Sequence, residues 1–228
     1  MITAAAAGQF LLSLVGFAAA DVVLTRLRVK NVYYLIHALH NAYIVYLTGA
    51  DVVSALTTQV VGTAAAAPPN YAAASAVAAL HLYHTVLYWD KLRLDDLLHH
   101  GLMIGVALPL GCLLPSGPLL GYSLFFSTGL PGGIDYALLT LVRNGWIHPL
   151  TEKRVNRWLN VWVRSPGCVS HATLVVAGAA AASSEAAWLR VLSALPGVLM
   201  YWNGQYFMEQ VVADHARRLL DDEQRLDV

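Results

Sequence analysis

Seven apolar segments, each near the ~20 residues needed to cross a bilayer, most constrain how this chain can fold. The chain has 228 residues, of which 57% are hydrophobic and 12% are charged. A soluble domain of ordinary composition has about 25% charged residues. The composition and the segments together predict an all-α, polytopic membrane protein, a bundle of seven transmembrane helices. The segments are Ala4–Leu24, Val32–Val53, Tyr71–Trp89, Leu97–Leu114, Leu119–Val142, Val169–Ser183 and Trp188–Val212.

Basic residues lie almost entirely on one side of this topology. Thirteen of the 14 Lys and Arg follow the first, third, fifth or seventh segment, and only Arg190 lies on the other side. The positive-inside rule then places the N-terminus in the lumen and the C-terminus in the cytosol. No basic block or aromatic–basic alternation is present, so we expect no nucleic-acid partner.

The same pattern divides the chain into three parts. Residues 1–30 are predicted to form a first transmembrane helix with a basic cytosolic flank. Residues 31–212 are predicted to form a six-helix transmembrane domain, and residues 213–228 a short cytosolic tail.

Six histidines are predicted to lie at one depth near the cytosolic face. Side chains three residues apart share a helix face, so the two pairs spaced HxxH can both point inward. Three interpretations stay open: acid–base or hydrogen-bonding work in a lipid pocket, ligation of a metal or haem, and ordinary hydrogen-bonding core residues. The six are His37 and His40, His81 and His84, and the adjacent His99 and His100.

Asp135 is an ionisable residue inside the fifth segment, which makes it a functional candidate because burying a carboxylate in a bilayer is costly. It follows GLPGG at Gly129–Gly133, where Pro and Gly predict a break or kink in the helix. That irregularity serves either helix packing or a pocket beside Asp135. An inward-facing histidine is the expected partner of the carboxyl group.

Three stretches of the chain resemble the TLC domain, the membrane domain shared by ceramide synthases and several smaller lipid-homeostasis proteins. They are KNVYYLIHA at Lys30–Ala38, the acidic residues and paired histidines of Asp90–His100, and WNGQYF at Trp202–Phe207. The resemblance implies a protein of the endoplasmic reticulum or another endomembrane that acts on lipids or senses them. Ceramide synthases transfer an acyl group from acyl-CoA to a sphingoid base.

The resemblance also implies a site. His99, His100 and Asp135 are the catalytic candidates, and Asp135 is the only one of the family's acidic residues that we find after the paired histidines. Acyl-CoA is the expected co-substrate, with no further cofactor and no metal. The predicted lipid or substrate pocket is lined by His37, His40, His81, His84, Asp90, Asp96 and Asn203. Arg143, Arg154 and Arg157 are the candidates for holding the acyl-CoA phosphates.

The function predicted from these observations is a role in lipid metabolism or membrane lipid homeostasis, through acyl transfer if the protein is an enzyme. A non-enzymatic lipid-binding or structural subunit of a membrane complex is the first alternative. A histidine-ligated metal or haem membrane protein is the second. The expected partners are membrane lipids, with a homodimer or a complex with another membrane protein left open.

The charge distribution predicts the outcome of a topology experiment. A glycosylation tag fused to the C-terminus stays unmodified in microsomes, because the positive-inside rule keeps that end in the cytosol. The same tag fused ahead of Met1 serves as the control and becomes glycosylated. A glycosylated C-terminal tag would overturn the predicted orientation.

Overall fold

A computed structural model describes residues 4–58 and 68–226, and within those ranges the protein is all-helical. The all-α prediction is therefore confirmed. Seven helices follow one another in the described chain. They are α1 (Ala4–Arg26), α2 (Val32–Thr58), α3 (Tyr71–Leu87), α4 (Leu94–Leu113), α5 (119–143), α6 (149–181) and α7 (Ala187–Leu226).

Polar side chains mark where several helices begin. Asn70 accepts a hydrogen bond from the Ala73 amide at 3.1 Å and caps the start of α3. His148 does the same for α6, where its Nδ1 accepts from the Leu150 amide at 3.3 Å. The turn between α1 and α2 places Asn31 in the left-handed region, at φ 60°, which asparagine tolerates better than most residues. Each cap satisfies a backbone amide that the first helical turn leaves unpaired.

The helices α6 and α7 extend well beyond the predicted sixth and seventh segments. Helix α6 begins at residue 149 rather than at Val169, and α7 continues past Val212 as far as Leu226. The first part of α6, PLTEKRVNRWL, alternates charged and apolar side chains, so its helical character is hidden from a search for apolar runs. Most of the predicted basic loop between the fifth and sixth segments is therefore helix, and so are residues 213–226 of the predicted tail.

Three helices contain a stretch of wider, π-helical winding. These stretches are His100–Ala107 in α4, Phe125–Gly129 in α5 and Asn160–Arg164 in α6. GLPGG does not break α5, because the chain stays helical through Leu130–Arg143. The irregular winding is the π-helical stretch Phe125–Gly129, which ends at the first glycine of GLPGG. Single π-helical turns are common at functional sites, so these stretches draw attention to the middle of the bundle.

Six of the helices form a closed ring, and α1 lies outside it. Around the ring the order of contacts is α2, α5, α6, α7, α4 and α3, with α3 packing back on α2. Helix α1 packs mainly on α3 and also on α2. Side-chain contacts that link separate helices at one end of the ring include the Tyr206 hydroxyl donating to Asp95 at 2.8 Å and Lys153 pairing with Asp214 at 3.1 Å.

Helices α1 and α4 are each long and apolar enough to cross a membrane, judged by length and composition. Membrane association thus has support from two of the described helices. The seven-span bundle and its orientation stay predictions.

Close packing of α5 on α6 predicts the effect of adding one methyl group. A Cβ atom at Gly167 would collide with the Phe126 ring, whereas a Cβ at Gly178 in the same helix meets nothing within 4 Å. We expect Gly167→Ala to lower the free energy of unfolding by about 1–3 kcal/mol, as overpacking does in other cores. Gly178→Ala is the control and leaves that free energy unchanged or raises it, since alanine favours helix. Equilibrium unfolding in mixed micelles measures both, and equal effects would contradict the packing described.

Candidate functional site

A cavity of about 1330 Å³ runs along the inside of the ring. At one end its wall includes Tyr33, Asp96 and His99, and at the other end Pro115 and Arg190. Between the two ends most of the lining side chains are apolar, including leucines of α4 and α5. The cavity therefore joins a polar region at one end of the bundle to a long apolar interior.

Five histidines from α2, α3 and α4 meet at the polar end, and we call them the histidine cluster: His37, His81, His84, His99 and His100. Three ring-to-ring contacts show how close they lie. The rings of His84 and His100 have centroids 4.7 Å apart, and the His81 ring lies 5.1 Å from that of His84 and 6.0 Å from that of His99. All five line the cavity. The structure thus brings together five of the six histidines from the three predicted segments, and their depth in a membrane stays a prediction.

Hydrogen bonds run through the histidine cluster as a chain. His37 Nε2 lies 3.3 Å from His84 Nδ1, and His84 Nε2 lies 2.9 Å from His100 Nε2. His100 Nδ1 then lies 3.2 Å from the Thr85 hydroxyl. Each of the two histidine–histidine contacts needs one nitrogen to donate and the other to accept. The tautomers of the three rings are therefore coupled to one another.

His40 lies apart from the cluster although the sequence pairs it with His37. Its Nδ1 lies 2.9 Å from Asn41 Oδ1, and its ring packs edge-on against Phe17 of α1 at 5.6 Å. It does not line the cavity, and its buried Nε2 has no hydrogen-bond partner. His40 thus belongs to the contact between the ring and α1.

His99 is held by α7 rather than by a carboxylate. Its Nδ1 donates to Asn203 Oδ1 at 3.1 Å, and its ring packs edge-on against Phe207 at 5.3 Å. The Arg164 guanidinium lies 5.1 Å from the centroid of the same Phe207 ring. Two buried donors here, Asn203 Nδ2 and Arg164 Nε, have no partner. Both residues line the cavity, so a ligand oxygen at this place would find two hydrogen-bond donors.

Asp135 lies on the α5 side of the cavity and faces a second carboxyl group, that of Glu152 on α6. Its Oδ1 is buried without a partner, and no hydrogen bond joins it to a histidine among the described residues. Glu152 is only 1% exposed, and Lys153 lies 3.3 Å from it and 3.1 Å from Asp214 of α7. The structure thus places a carboxyl pair where the sequence suggested a carboxyl–histidine pair.

Glu152 begins a polar ladder on α6, which we define as Glu152, Asn156, Asn160 and Arg164. Asn160 donates to Asn156 Oδ1 at 2.6 Å, and longer contacts of 3.5 Å join Asn156 to Glu152 and Arg164 to Asn160. Sequence reasoning missed this ladder because it treated the region as a loop. The available signal was the spacing of four residues between polar side chains, which places them on one helix face.

The remaining predicted site residues are distributed between the cavity mouth and the outer surface. Asp96 lines the cavity, where it accepts from the Arg93 amide at 2.9 Å and caps the start of α4. Asp90 is exposed on the short turn Trp89–Lys91 and does not line the cavity. The predicted phosphate-binding residues Arg143, Arg154 and Arg157 are also exposed, and none of them lines the cavity.

No group of three or more His, Cys, Asp or Glu side chains within residues 4–58 and 68–226 has an arrangement suited to a metal ion. In the histidine cluster the ring nitrogens that approach one another do so at hydrogen-bonding distances.

The chain of hydrogen bonds predicts unequal effects for two histidine substitutions. His84→Leu removes the hydrogen-bond partner of two ring nitrogens, His37 Nε2 and His100 Nε2. His37→Leu removes the partner of only one ring nitrogen in the cluster, His84 Nδ1. An orphaned buried polar group costs about 1–3 kcal/mol, so we expect His84→Leu to lower the free energy of unfolding by about that much more. Equilibrium unfolding in mixed micelles compares them. Equal losses would show that the contacts do not form a chain.

Comparisons of the chain with protein-family models, with curated proteins and with solved structures found no match. The resemblance to the TLC domain therefore stays a proposal that rests on the residues themselves.

Proposed function

We propose that this chain is a TLC-type integral membrane protein of lipid metabolism or membrane lipid homeostasis, and that it transfers an acyl group from acyl-CoA at the histidine cluster. One observation carries the proposal: a single cavity joins the histidine cluster to a long apolar interior. Its volume of about 1330 Å³ exceeds the range of about 300–1,000 Å³ typical of drug-sized ligands. An elongated lipid with one reactive end suits such a space.

The distribution of side chains supports a membrane location. Large apolar residues point outward on the ring and on α1: Leu12 is 69% exposed, Tyr46 81% and Val191 70%. Polar residues lie inside, among them His84 and Asn203. Large exposed apolar surfaces mark sites that contact membrane or protein. We propose that all seven helices span an endoplasmic-reticulum or other endomembrane, with the N-terminus in the lumen and the C-terminus in the cytosol.

His99 is the general base of the proposed reaction. Because its Nδ1 donates to Asn203, its Nε2 carries the lone pair that accepts a proton. His100 has contacts at both of its ring nitrogens, to His84 and to Thr85, and is therefore better suited to positioning. The hydrogen bond from His99 to Asn203 fixes the ring orientation, as a third group does for the base in other acyl-transfer sites.

In the proposed acyl transfer, His99 carries the proton from the acceptor to the leaving group. An amine or hydroxyl of the acceptor lipid attacks the thioester carbon of acyl-CoA and gives its proton to His99 Nε2. The carbonyl oxygen gains negative charge and accepts hydrogen bonds from Arg164 Nε and Asn203 Nδ2, which lack protein partners. The carbon–sulfur bond then breaks, and the CoA thiolate takes the proton from His99.

Asp135 is assigned to the acceptor rather than to a histidine. Its unpaired Oδ1 accepts a hydrogen bond from the N–H or O–H of the acceptor and positions the attacking atom. Glu152, beside it, is restrained by Lys153 at 3.3 Å and by Asn156 at 3.5 Å.

A non-enzymatic lipid-binding protein is the second candidate, and one observation favours it. The basic residues predicted to hold the CoA phosphates, Arg143, Arg154 and Arg157, lie outside the cavity. Under this reading the cavity holds a lipid, and the histidine cluster satisfies its own hydrogen bonds.

An acyl-transfer assay with matched variants tests the enzyme and separates the two candidates. Microsomes with the protein are incubated with long-chain acyl-CoA and candidate amine or hydroxyl lipids, and the product is measured by mass spectrometry. His99→Ala is expected to lower kcat by about 10²–10⁴-fold through loss of the base, and Arg164→Gln by about 10²–10³-fold.

The control is Arg217→Gln, an exposed arginine of α7 that leaves kcat unchanged. Activity that survives His99→Ala would overturn the assigned base. No activity in the wild-type protein, together with a lipid that copurifies in the cavity, would favour the binding protein.

A further inference from the structure

His171 lies in the cavity wall on α6, outside the histidine cluster, and no part of the proposed reaction uses it. Its side chain is 4% exposed, and its Nδ1 is buried without a hydrogen-bond partner. His37 and His81 show the usual solution for a helical histidine, since each places Nδ1 within 2.8 Å of the carbonyl four residues earlier. The imidazole of His171 thus carries an unmet hydrogen-bonding capacity next to an open space.

The local structure explains why His171 does not adopt that solution. The carbonyl four residues before it, that of Gly167, accepts a hydrogen bond from the Ser170 hydroxyl at 2.9 Å. The Tyr122 ring stacks at 6.5 Å from His171, but its hydroxyl is engaged with Ser170 at 2.6 Å. The hydroxyl groups of Tyr122 and Ser170 are therefore paired with each other, and neither bonds Nδ1 of His171.

The position of His171 along the cavity is set by helix geometry. It comes seven residues after Arg164 in the same helix, which at 1.5 Å per residue is roughly 10 Å along the axis. Arg164 is at the level of Phe207 and His99. The cavity wall on the far side of His171 includes Leu174 and Val175, so His171 is a polar point on an apolar stretch.

We propose that His171 is a binding subsite for an oxygen inside the chain of the bound lipid, a hydroxyl about 10 Å from the group held at His99. The inference rests on the proposed lipid cavity and adds a preference among lipids to it. A neutral imidazole can accept from a hydroxyl at one nitrogen or donate to it from the other, so the two groups are complementary. A buried polar group without a partner costs free energy that such a ligand recovers.

Packing alone gives no reason for a ring nitrogen at this position. The neighbouring Gly197 of α7 lies against Val175 and the Ala172 backbone, so the two helices approach through small and apolar groups. An apolar side chain of similar size would fill the same place beside Tyr122. The ring nitrogen of His171 has a role only if a polar group of a ligand reaches it.

The experiment compares matched fatty acids as probes of the purified full-length chain in detergent. Octadecanoic acid and a series of octadecanoic acids with one hydroxyl, placed at successive carbons along the chain, are ranked by Kd in native mass spectrometry. We expect one or two neighbouring hydroxyl positions to bind about tenfold more tightly than octadecanoic acid. His171→Phe abolishes that preference but keeps octadecanoic acid binding, and His171→Gln keeps part of it.

The matched control is Thr173→Val, an exposed position on the same helix, which keeps the preference. Equal binding of all probes, or a preference that survives His171→Phe, overturns the subsite and leaves the lipid cavity standing. Failure of every probe to bind overturns the lipid cavity and the subsite together. If His171→Phe does not fold, the Kd values of the probes for the wild-type protein decide alone. A gain in affinity that does not depend on the position of the hydroxyl group contradicts the subsite.

Discussion

Polar side chains inside this ring are shielded from water, so their hydrogen-bond partners are one another, nearby backbone carbonyls or a ligand, and that constraint organises the molecule. The outer face of the helices is apolar, so the histidines, asparagines and carboxyl groups of the interior are turned toward one another. A buried polar group is costly unless it is paired, which makes such networks restrictive. His84 satisfies the constraint by joining His37 of α2 to His100 of α4. Three helices are thereby tied together at one end of the cavity.

The polar groups that fail to find a partner are as informative as those that succeed. Arg164 Nε and Asn203 Nδ2 are donors beside His99, and Asp135 Oδ1 is an acceptor on the α5 side. Two donors and an acceptor in the cavity wall match a ligand that has both a carbonyl oxygen and an N–H or O–H group. The proposed acyl transfer brings such groups together, which is why the unpaired atoms and the proposed reaction support each other.

The apolar segments were sufficient to predict seven helices and the meeting of histidines from three of them. They were insufficient where a helix is amphipathic: Glu152 and Asn156 lie on a face that turns inward, but their neighbours Lys153 and Arg154 made the region read as a loop. The separation of His40 from His37 could not be predicted either. Residues three apart share a broad face, and whether both enter the cavity depends on how α1 packs, through Phe17, on that face.

The partner of Asp135 could not be predicted from the sequence for a related reason. Asp135 and Glu152 belong to different helices, so no helical spacing in the sequence relates them. Only the contact of α5 with α6 brings them together. On its other side α5 comes close to Asn41 of α2 at Gly132 and Gly133, so the place of α5 in the ring is set by contacts with two helices. Long-range packing of this kind is not encoded in a local pattern.

The three π-helical stretches have a consequence for how this architecture can change over evolution. A π-helical turn holds more residues than an α-helical turn, so it behaves as a one-residue insertion accommodated within a continuous helix. Removing one residue from His100–Ala107 would let α4 rewind as a plain α-helix while the residues beyond largely keep the faces they present, whereas the same deletion in a regular α-helical stretch would rotate everything beyond it by about 100°. The same holds for α5 and α6. Chains that differ by single-residue deletions at these turns would therefore keep the same ring and largely the same side chains toward the cavity, so these turns are the places in the three helices where the chain length can change at least cost to the site.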